Sequence, residues 1–523
     1  MIPNKHIILL SLILLCSFLY LYNIGARDFW APDEGDFAQI VKELDNNYIV
    51  LHLNNTPYGE KPPLFYYMAK LSSRIFSSLK DEISLRIPSA IFAMGGILFF
   101  FLTIKNFFNQ SVAIISSSIL LSSPLYYWQA RYLQVDMVFS VLVSCSLLCF
   151  FWFHNNKKKV FFYLHVISMA LAFLTKGPVA ILLIIPIIII YLVLQKNIRL
   201  LFHKETAIGI FIFIAITIPW YLLVYFREGF PYLYENIVRQ NLTRFFEAWS
   251  HKRAFYYYFT TLPLDFFPWS IFLPMGIYIT FTEYKKNHPV LYFLIWFVWM
   301  FLFFSLSSGK ISKYMLPLLP SIALISTFPF FKEKSQYNRY VLFVFIAVLF
   351  ILSGLLFFFK LSQHREFFLE RIIAGILCLA TGVLVYIFLR KDAIKKAFIT
   401  IFIFMFFLYG IGNTSVYAKW NEYKSPRFLC EKIKTYIAQG APWIFYGSMR
   451  GVYIYYTGSF AIHIDEHNVQ RLKEMKDRLG TFFILTRNRD IDEINNAIGK
   501  VHILLKEKVG DTVMVFCHYV KAN

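Results

Sequence analysis

Runs of roughly 20 apolar residues alternate with short polar breaks along most of the chain, the length a helix needs to cross a hydrocarbon core. About thirteen such runs are present, at approximately 7–24, 84–104, 110–128, 133–153, 160–175, 178–194, 206–226, 262–282, 289–306, 313–330, 340–359, 371–389 and 397–413. The short breaks 154–159, 195–205, 283–288, 331–339 and 390–396 are rich in Lys and Arg, which predicts that they face the cytoplasm. Alternation then predicts a cytoplasmic N-terminus, and places outside two long loops, 25–83 and 227–261, together with the region after 413. The first run follows Lys5 like a signal-peptide core, but Asn23-Ile24-Gly25-Ala26 offers no good small-x-small cleavage site, so it is read as a retained helix.

After residue 413 the pattern changes. Short apolar runs at Trp443–Tyr446, Thr481–Leu485 and Thr512–Tyr519 alternate with helix-like stretches at Val469–Leu479 and Asp490–Gly499, which predicts a small soluble α/β domain. The expected fold is an α-helical polytopic membrane protein with amphipathic juxtamembrane helices in the first outer loop. Its domains are a transmembrane part, 1–413, and a soluble α/β part, 414–523. Cys430 and Cys517, the cysteines of the exported part, are expected to pair.

Composition agrees with a bilayer: the 523 residues are 58% hydrophobic and 16% charged, with mean hydropathy +0.54. The formal charge of +21 could suggest nucleic acid, but the basic residues sit between apolar runs, as membrane topology demands, and no nucleic-acid partner is expected.

The candidate chemistry gathers on the predicted outer face. Pro32 followed by Asp33 and Glu34, with Phe37, Ile40, Val41 and Leu44 at helical spacing, predicts an interfacial helix opened by acids; helix capping and solvation are the competing account. Asp136 stands at the outer end of the fourth run, where an ionisable group is either functional or a cap. Lys176, Lys310 and Lys313 lie in outer turns, against the inside-positive rule, with interfacial anchoring as the alternative. Arg239, Arg244, His251, Lys252 and Arg253 form a basic and aromatic second loop that would equally suit anionic headgroups. Together Asp33, Glu34, Glu60 and Asp136 share this face with Lys61, Lys176, Arg244 and Lys310. Cations suit a phosphate leaving group, and a carboxylate suits an attacking hydroxyl.

These residues occur in WAPDE (30–34), TPYGEKPPLFYY (56–67), SLRIPSA (84–90), QVDM (134–137), LTKGPVA (174–180), NLTRF (241–245), SHKRAFYYY (250–258) and SGKISKYMLPLLP (308–320). In that order they resemble the bacterial lipid A aminoarabinose transferase branch of the protein-O-mannosyltransferase-like, GT-C membrane glycosyltransferases. The resemblance implies a multi-pass protein of the bacterial inner membrane with its C-terminal domain in the periplasm. It implies catalytic positions at Asp33 and Asp136, with Lys61, Arg244 and Tyr314 resembling the family's residues at the carrier phosphate, and with Lys176 and Lys310 beside them. Glu34, Glu60 and His251 would support the site. A metal site joining the outer loops would fall on Glu60 and His251, but two ligands do not establish a metal. The family often has Arg-Tyr two residues after its DE pair, where this chain has Asp36-Phe37.

The implied reaction is inverting transfer of a sugar, an amino sugar among the candidates, from a polyprenyl-phosphate carrier to lipid A or another envelope glycan or glycolipid, without an organic cofactor. A protein O-mannosyltransferase is the alternative acceptor class. A transporter or flippase would need inverted repeats or paired broken helices, which the sequence does not display.

Overall fold

The computed structural model describes residues 5–283, 288–332, 336–358, 364–438 and 441–521. Parts of two predicted basic loops, 284–287 and 333–335, lie outside the described residues. Each apolar run is helical, and the helical membrane architecture is the one expected. Among the described residues nine helices are long and apolar enough to cross a membrane, or ten if Tyr257–Asp265 and Trp269–Glu283, bent by 115°, form one span. Three further apolar helices, His6–Tyr20, Gln110–Ser122 and Val179–Leu194, are shorter. The nine long helices, the bent pair and the three shorter helices together fall on the thirteen expected apolar runs, four of which are shorter or broken rather than single full-length helices. Hydropathy marks where apolar residues run, whereas breakers set helix length: Ser123-Pro124 ends one helix, Gly177-Pro178 separates two, and Pro268 sits at the bend.

The chain forms two compact units: Met1–Ile24, Gly59–Met68 and Arg86–Thr414 make the first, and Gly25–Tyr58, Ala69–Leu85 and Ser415–Asn523 the second. In the first, Val135–Asn156 is central, with 89% of its apolar stretch buried, while Lys204–Glu228 and Gln336–Phe358 are peripheral at 28%. Arg131 is buried and satisfies the open carbonyls at the end of the first helix, Lys5–Tyr20: its guanidinium donates to the oxygens of Leu19, Tyr20, Tyr22 and Asn23 at 2.9–3.2 Å. Asn413 joins the last span to the same place, donating to the Leu19 oxygen at 3.3 Å and accepting from Tyr127. Arg86 of the SLRIPSA segment is fully buried and donates to the Ile24 carbonyl at 3.0 Å, so its charge serves a chain reversal.

The second unit is built on a five-stranded sheet of β1 (Trp443–Tyr446), β2 (Ile462–Ile464), β3 (Thr481–Arg487), β4 (His502–Val509) and β5 (Thr512–Val520), in the order β2-β1-β3-β5-β4. β1 runs parallel to β2 and β3, whereas β5 is antiparallel to β3 and β4. The longer helices wholly within this unit are α1 (Asp33–Glu43), α2 (Arg427–Ile437), α3 (Gly451–Thr457), α4 (Val469–Leu479) and α5 (Ile491–Ile498). Strand alternation divides the aromatic and aliphatic side chains between two faces. Ile444, Ile484, Val515 and Cys517 pack with Leu472 of α4 and Ile494 of α5. Phe483 and Phe516 meet Tyr436 of α2, and Phe445 meets Tyr453 of α3, on the other face. Cys430 lies on α2, so the expected disulfide to Cys517 does not form: the two thiols are buried on opposite sides of the sheet and both are free.

The first outer loop folds with this sheet domain. α1 crosses α3 at two glycines, where a Cβ on Gly35 would stand 2.4 Å from the Val452 Cα and one on Gly451 2.9 Å from the Asp36 Cα. The Asp36 carboxylate accepts from the Gly451 N–H at 2.5 Å. Asp28 pairs with Arg427 at 3.3 Å, and the Tyr456 hydroxyl accepts from the Phe29 N–H at 2.8 Å. Bulkier residues at 35 or 451 would force the backbones apart.

Candidate active site

A cavity of about 310 Å³ opens in the first unit, with Lys61, Lys176 and Arg244 on its wall beside Phe139, Phe303 and Phe304. Tyr314 and Gln240 also line it. Each cation arrives from a separate element, held by its own local chemistry. Lys176 is the last residue of the helix Lys159–Lys176, where a cation favours the helix dipole, and Gly177 ends that helix at φ +78. A Cβ on Gly177 would meet the Asn241 side chain at 3.3 Å, which fixes the turn against the next wall.

That wall is a π-helix, Tyr234–Thr243, running into Arg244. Such wide turns are frequent at functional sites. Its buried Asn236 donates to the Gly59 carbonyl at 2.9 Å and accepts from the Tyr221 hydroxyl at 3.2 Å, so it anchors the segment that carries Glu60 and Lys61. Arg244 donates to Gln240 at 3.1 Å and stands over the Trp249 ring at 5.6 Å. Burial pulls the Lys61 ammonium down to about 8, opposed by the Glu60 charge and reinforced by Arg244 and Lys176. An anion in the cavity would restore its full charge.

Asp136, in the first turn of Val135–Asn156, is 2% exposed and pairs with Lys176 at 2.5 Å and Lys313 at 3.7 Å. It is therefore the counter-ion of two lysines, and it also acts on Lys61. The Lys176 ammonium lies 4.8 Å from the centre of the Tyr314 ring, which stacks on Phe304 at 5.6 Å. Tyr314 thus positions a cation.

The other sequence-predicted residues have different surroundings. Lys310 is 3% exposed and binds two carbonyls, those of Arg253 (3.1 Å) and Ser307, while its N–H donates to the His251 carbonyl at 3.0 Å. Burial pulls its ammonium below the usual lysine range. Lys310 joins the 250–253 and 307–310 segments. His251 is exposed, with a left-handed φ of +58, and Glu60 is exposed. Among the described residues no group of three or more His, Cys, Asp or Glu could hold a metal, so Glu60 and His251 gain no third ligand of that kind.

Asp33 and Glu34 belong to the second unit, and there the pair divides. Glu34 is fully buried and forms an ion pair with Arg27 at 2.9 Å, while Arg27 covers the Trp30 ring at 4.9 Å. Asp33 is half-buried at the first position of α1, behind Pro32 as the cap residue, so it is not itself the cap. Asn236, Gln240 and Asn241 are uncharged and do not stand out in the sequence, while Lys313, which stands out there only as an outer-turn lysine, is a partner of Asp136. The NLTRF string marked the neighbourhood, but nothing in hydropathy separates a polar wall residue from a solvated one.

An apolar cavity with three cations at its wall can hold an anionic headgroup whose chain is apolar. Comparisons with known proteins bear on the fold. Residues 60–223 match the family described as dolichyl-phosphate-mannose-protein mannosyltransferase. The chain is 29% identical over 317 residues to undecaprenyl phosphate-alpha-4-amino-4-deoxy-L-arabinose arabinosyl transferase 2 of Proteus mirabilis, a match covering 58% of this chain and 56% of that protein. The match thus spans little more than half the length of that relative. An uncharacterised protein of Aquifex aeolicus is 27% identical over 399 residues, 75% of this chain and 76% of the other. Among solved structures, ArnT from Cupriavidus metallidurans bound to undecaprenyl phosphate superposes with a TM-score of 0.83 at 16% identity, covering 98% of both chains. The Archaeoglobus fulgidus oligosaccharyltransferase follows at a TM-score of 0.52 and 14% identity, over 93% of this chain and 70% of the other. The fold and these likenesses agree on one placement: the chain is a multi-pass helical membrane protein with the fold of the ArnT structure, and in sequence it is similar to aminoarabinose transferases.

Proposed function

We propose that this protein is an inverting glycosyltransferase that takes its sugar from a polyprenyl-phosphate carrier. The observation that carries the reading is the convergence of Lys61, Lys176 and Arg244 on one apolar cavity. The carrier's chain occupies the aromatic side, and its phosphate sits among the cations. As the bond from the anomeric carbon to the phosphate oxygen breaks, its electron pair passes to the phosphate, whose growing charge those cations stabilise. The acceptor oxygen attacks from the opposite face. Asp136 holds Lys176 and Lys313 in place as their shared counter-ion, and Asp33 orients the acceptor or takes its proton. The relatives' names point to an aminoarabinose donor, and the sequence resemblance implies lipid A or a related envelope glycolipid as acceptor; the mannosyltransferase family match favours a protein hydroxyl instead. The site works at the periplasmic face of the inner membrane, with the N-terminus in the cytoplasm. A divalent metal is not needed for this account.

The test is turnover by the purified protein. With undecaprenyl-phosphate-linked aminoarabinose and lipid A, free undecaprenyl phosphate should accumulate without any ion gradient. A serine-rich acceptor peptide with a mannosyl donor forms the second arm, and turnover there alone would reassign the acceptor class. Release in neither arm, by protein shown to be folded, would sink the proposal.

A further inference from the structure

The second unit contains a cavity of its own, about 280 Å³, lined in part by Lys424, Ser448, Arg450, Arg487 and Thr512. Its place in the sheet is informative. β1 and β3 are parallel neighbours, and the chain leaving β1 enters α3 on one face while the chain leaving β3 enters α5 on the other. In parallel α/β sheets ligands bind outside the carboxyl ends of strands at such a switch point. Ser448 and Arg450 follow β1, Arg487 ends β3, and Thr512 opens the antiparallel β5 at the same end.

The lining also indicates the ligand. Three of its charged side chains are cations, and the one acid, Asp511, has a side chain 99% exposed. Arg487 is held rigid between Glu466 and Asp490, the latter at 2.8 Å. Arg450 forms no ion pair among the described residues. The hydroxyls of Ser448 and Thr512 and the ring of Tyr453 complete a wall suited to a sugar's hydroxyls and apolar face. The volume suits a single ring with its substituent. We infer that this cavity is a binding site for a phosphorylated sugar, with Arg450 as its principal phosphate ligand.

Ala31 and Pro32 also line the cavity, so a bound phosphosugar lies beside Asp33. That this sugar belongs to the acceptor rests on the proposed transferase reading; the binding itself does not.

Calorimetric titration of the full-length protein in detergent with glucosamine 1-phosphate tests the site, with glucosamine and inorganic phosphate as separate arms. Saturable binding is expected, tighter than in either control arm by about tenfold or more, the scale of one charge-assisted contact. R450Q should lose about tenfold or more, and T512E, which sets an anion in the wall, should lose it independently. K61M, altered in the other cavity, should bind as wild type. No saturable binding, equal binding of inorganic phosphate, unchanged affinity in both R450Q and T512E, or loss in K61M would each overturn the assignment. Binding that persists in a protein with no transferase turnover would support the cavity while defeating the transferase reading.

Discussion

Replacing Asp136 by Asn removes one negative charge from a place where two lysines depend on it. Asp136 is 2% exposed, and the ammonium groups of Lys176 and Lys313 stand 2.5 and 3.7 Å from its oxygens with side chains only 14% and 17% exposed. Breaking a buried ion pair from one side costs about 3–5 kcal/mol, because the remaining charge keeps its desolvation without its partner. Both lysines retain some solvent and border a cavity, so D136N should destabilise the protein by about 2–4 kcal/mol. K176M in the same background removes one stranded cation and should restore stability while leaving the enzyme inactive. Unfolding of detergent-solubilised variants, followed as the four corners of a double-mutant cycle, measures the coupling directly. A cost below about 1 kcal/mol for D136N, with no gain on adding K176M, would refute the counter-ion assignment.

Three further outcomes are expected. Because the Lys61 ammonium is held down to about 8 by burial, it loses its proton as pH rises through that value, so the donor KM should climb above pH 8 in wild type and stay flat in K61M. For stability the sign is opposite: an unfolded Lys keeps its proton to about 10.4, so the cost of the buried charge fades between those values, and K61M should be at least as stable as wild type at pH 7. R244K should retain the charge but recover only part of the turnover, since an ammonium cannot both hold Gln240 and meet a phosphate as a guanidinium fork does; full rates in R244M at matched protein levels would remove Arg244 from the site. G35A brings a methyl against the Val452 backbone and should destabilise the second unit by about 1–3 kcal/mol, read by hydrogen exchange in β1 and α3; unchanged protection there would contradict the close crossing.

Much of this arrangement is legible in the sequence because charge in an apolar context is conspicuous. Asp136 and Lys176 stand out at the ends of apolar runs, and they pair. Lys310 stands out equally, yet its ammonium binds two carbonyls, a fate set by a loop geometry that no residue pattern encodes. Asp33 and Glu34 look alike in sequence, but helix rotation buries one against Arg27 and leaves the other half-exposed. The strand pattern of the C-terminal region predicts the sheet, although not the face on which each cysteine falls, because Cys430 belongs to a helix whose packing side depends on the connection before β1. The thirteen apolar runs all become helices, but hydropathy does not register Ser-Pro and Gly-Pro breaks, so their individual lengths are not legible. The folding of the first outer loop onto the α/β domain rests on Gly35 meeting α3 some four hundred residues later, a contact with no local signature.

If Lys61, Lys176 and Arg244 hold the phosphate of a lipid carrier in the membrane cavity, the protein should retain that lipid through these side chains. Native mass spectrometry of the purified protein with undecaprenyl phosphate measures this most directly. One retained lipid per wild-type chain is expected, with retention falling sharply in K61M and R244M and for a dephosphorylated polyprenol. Equal retention of the lipid by wild type and by a K61M/R244M double variant, both folded, would show that these cations do not hold the phosphate.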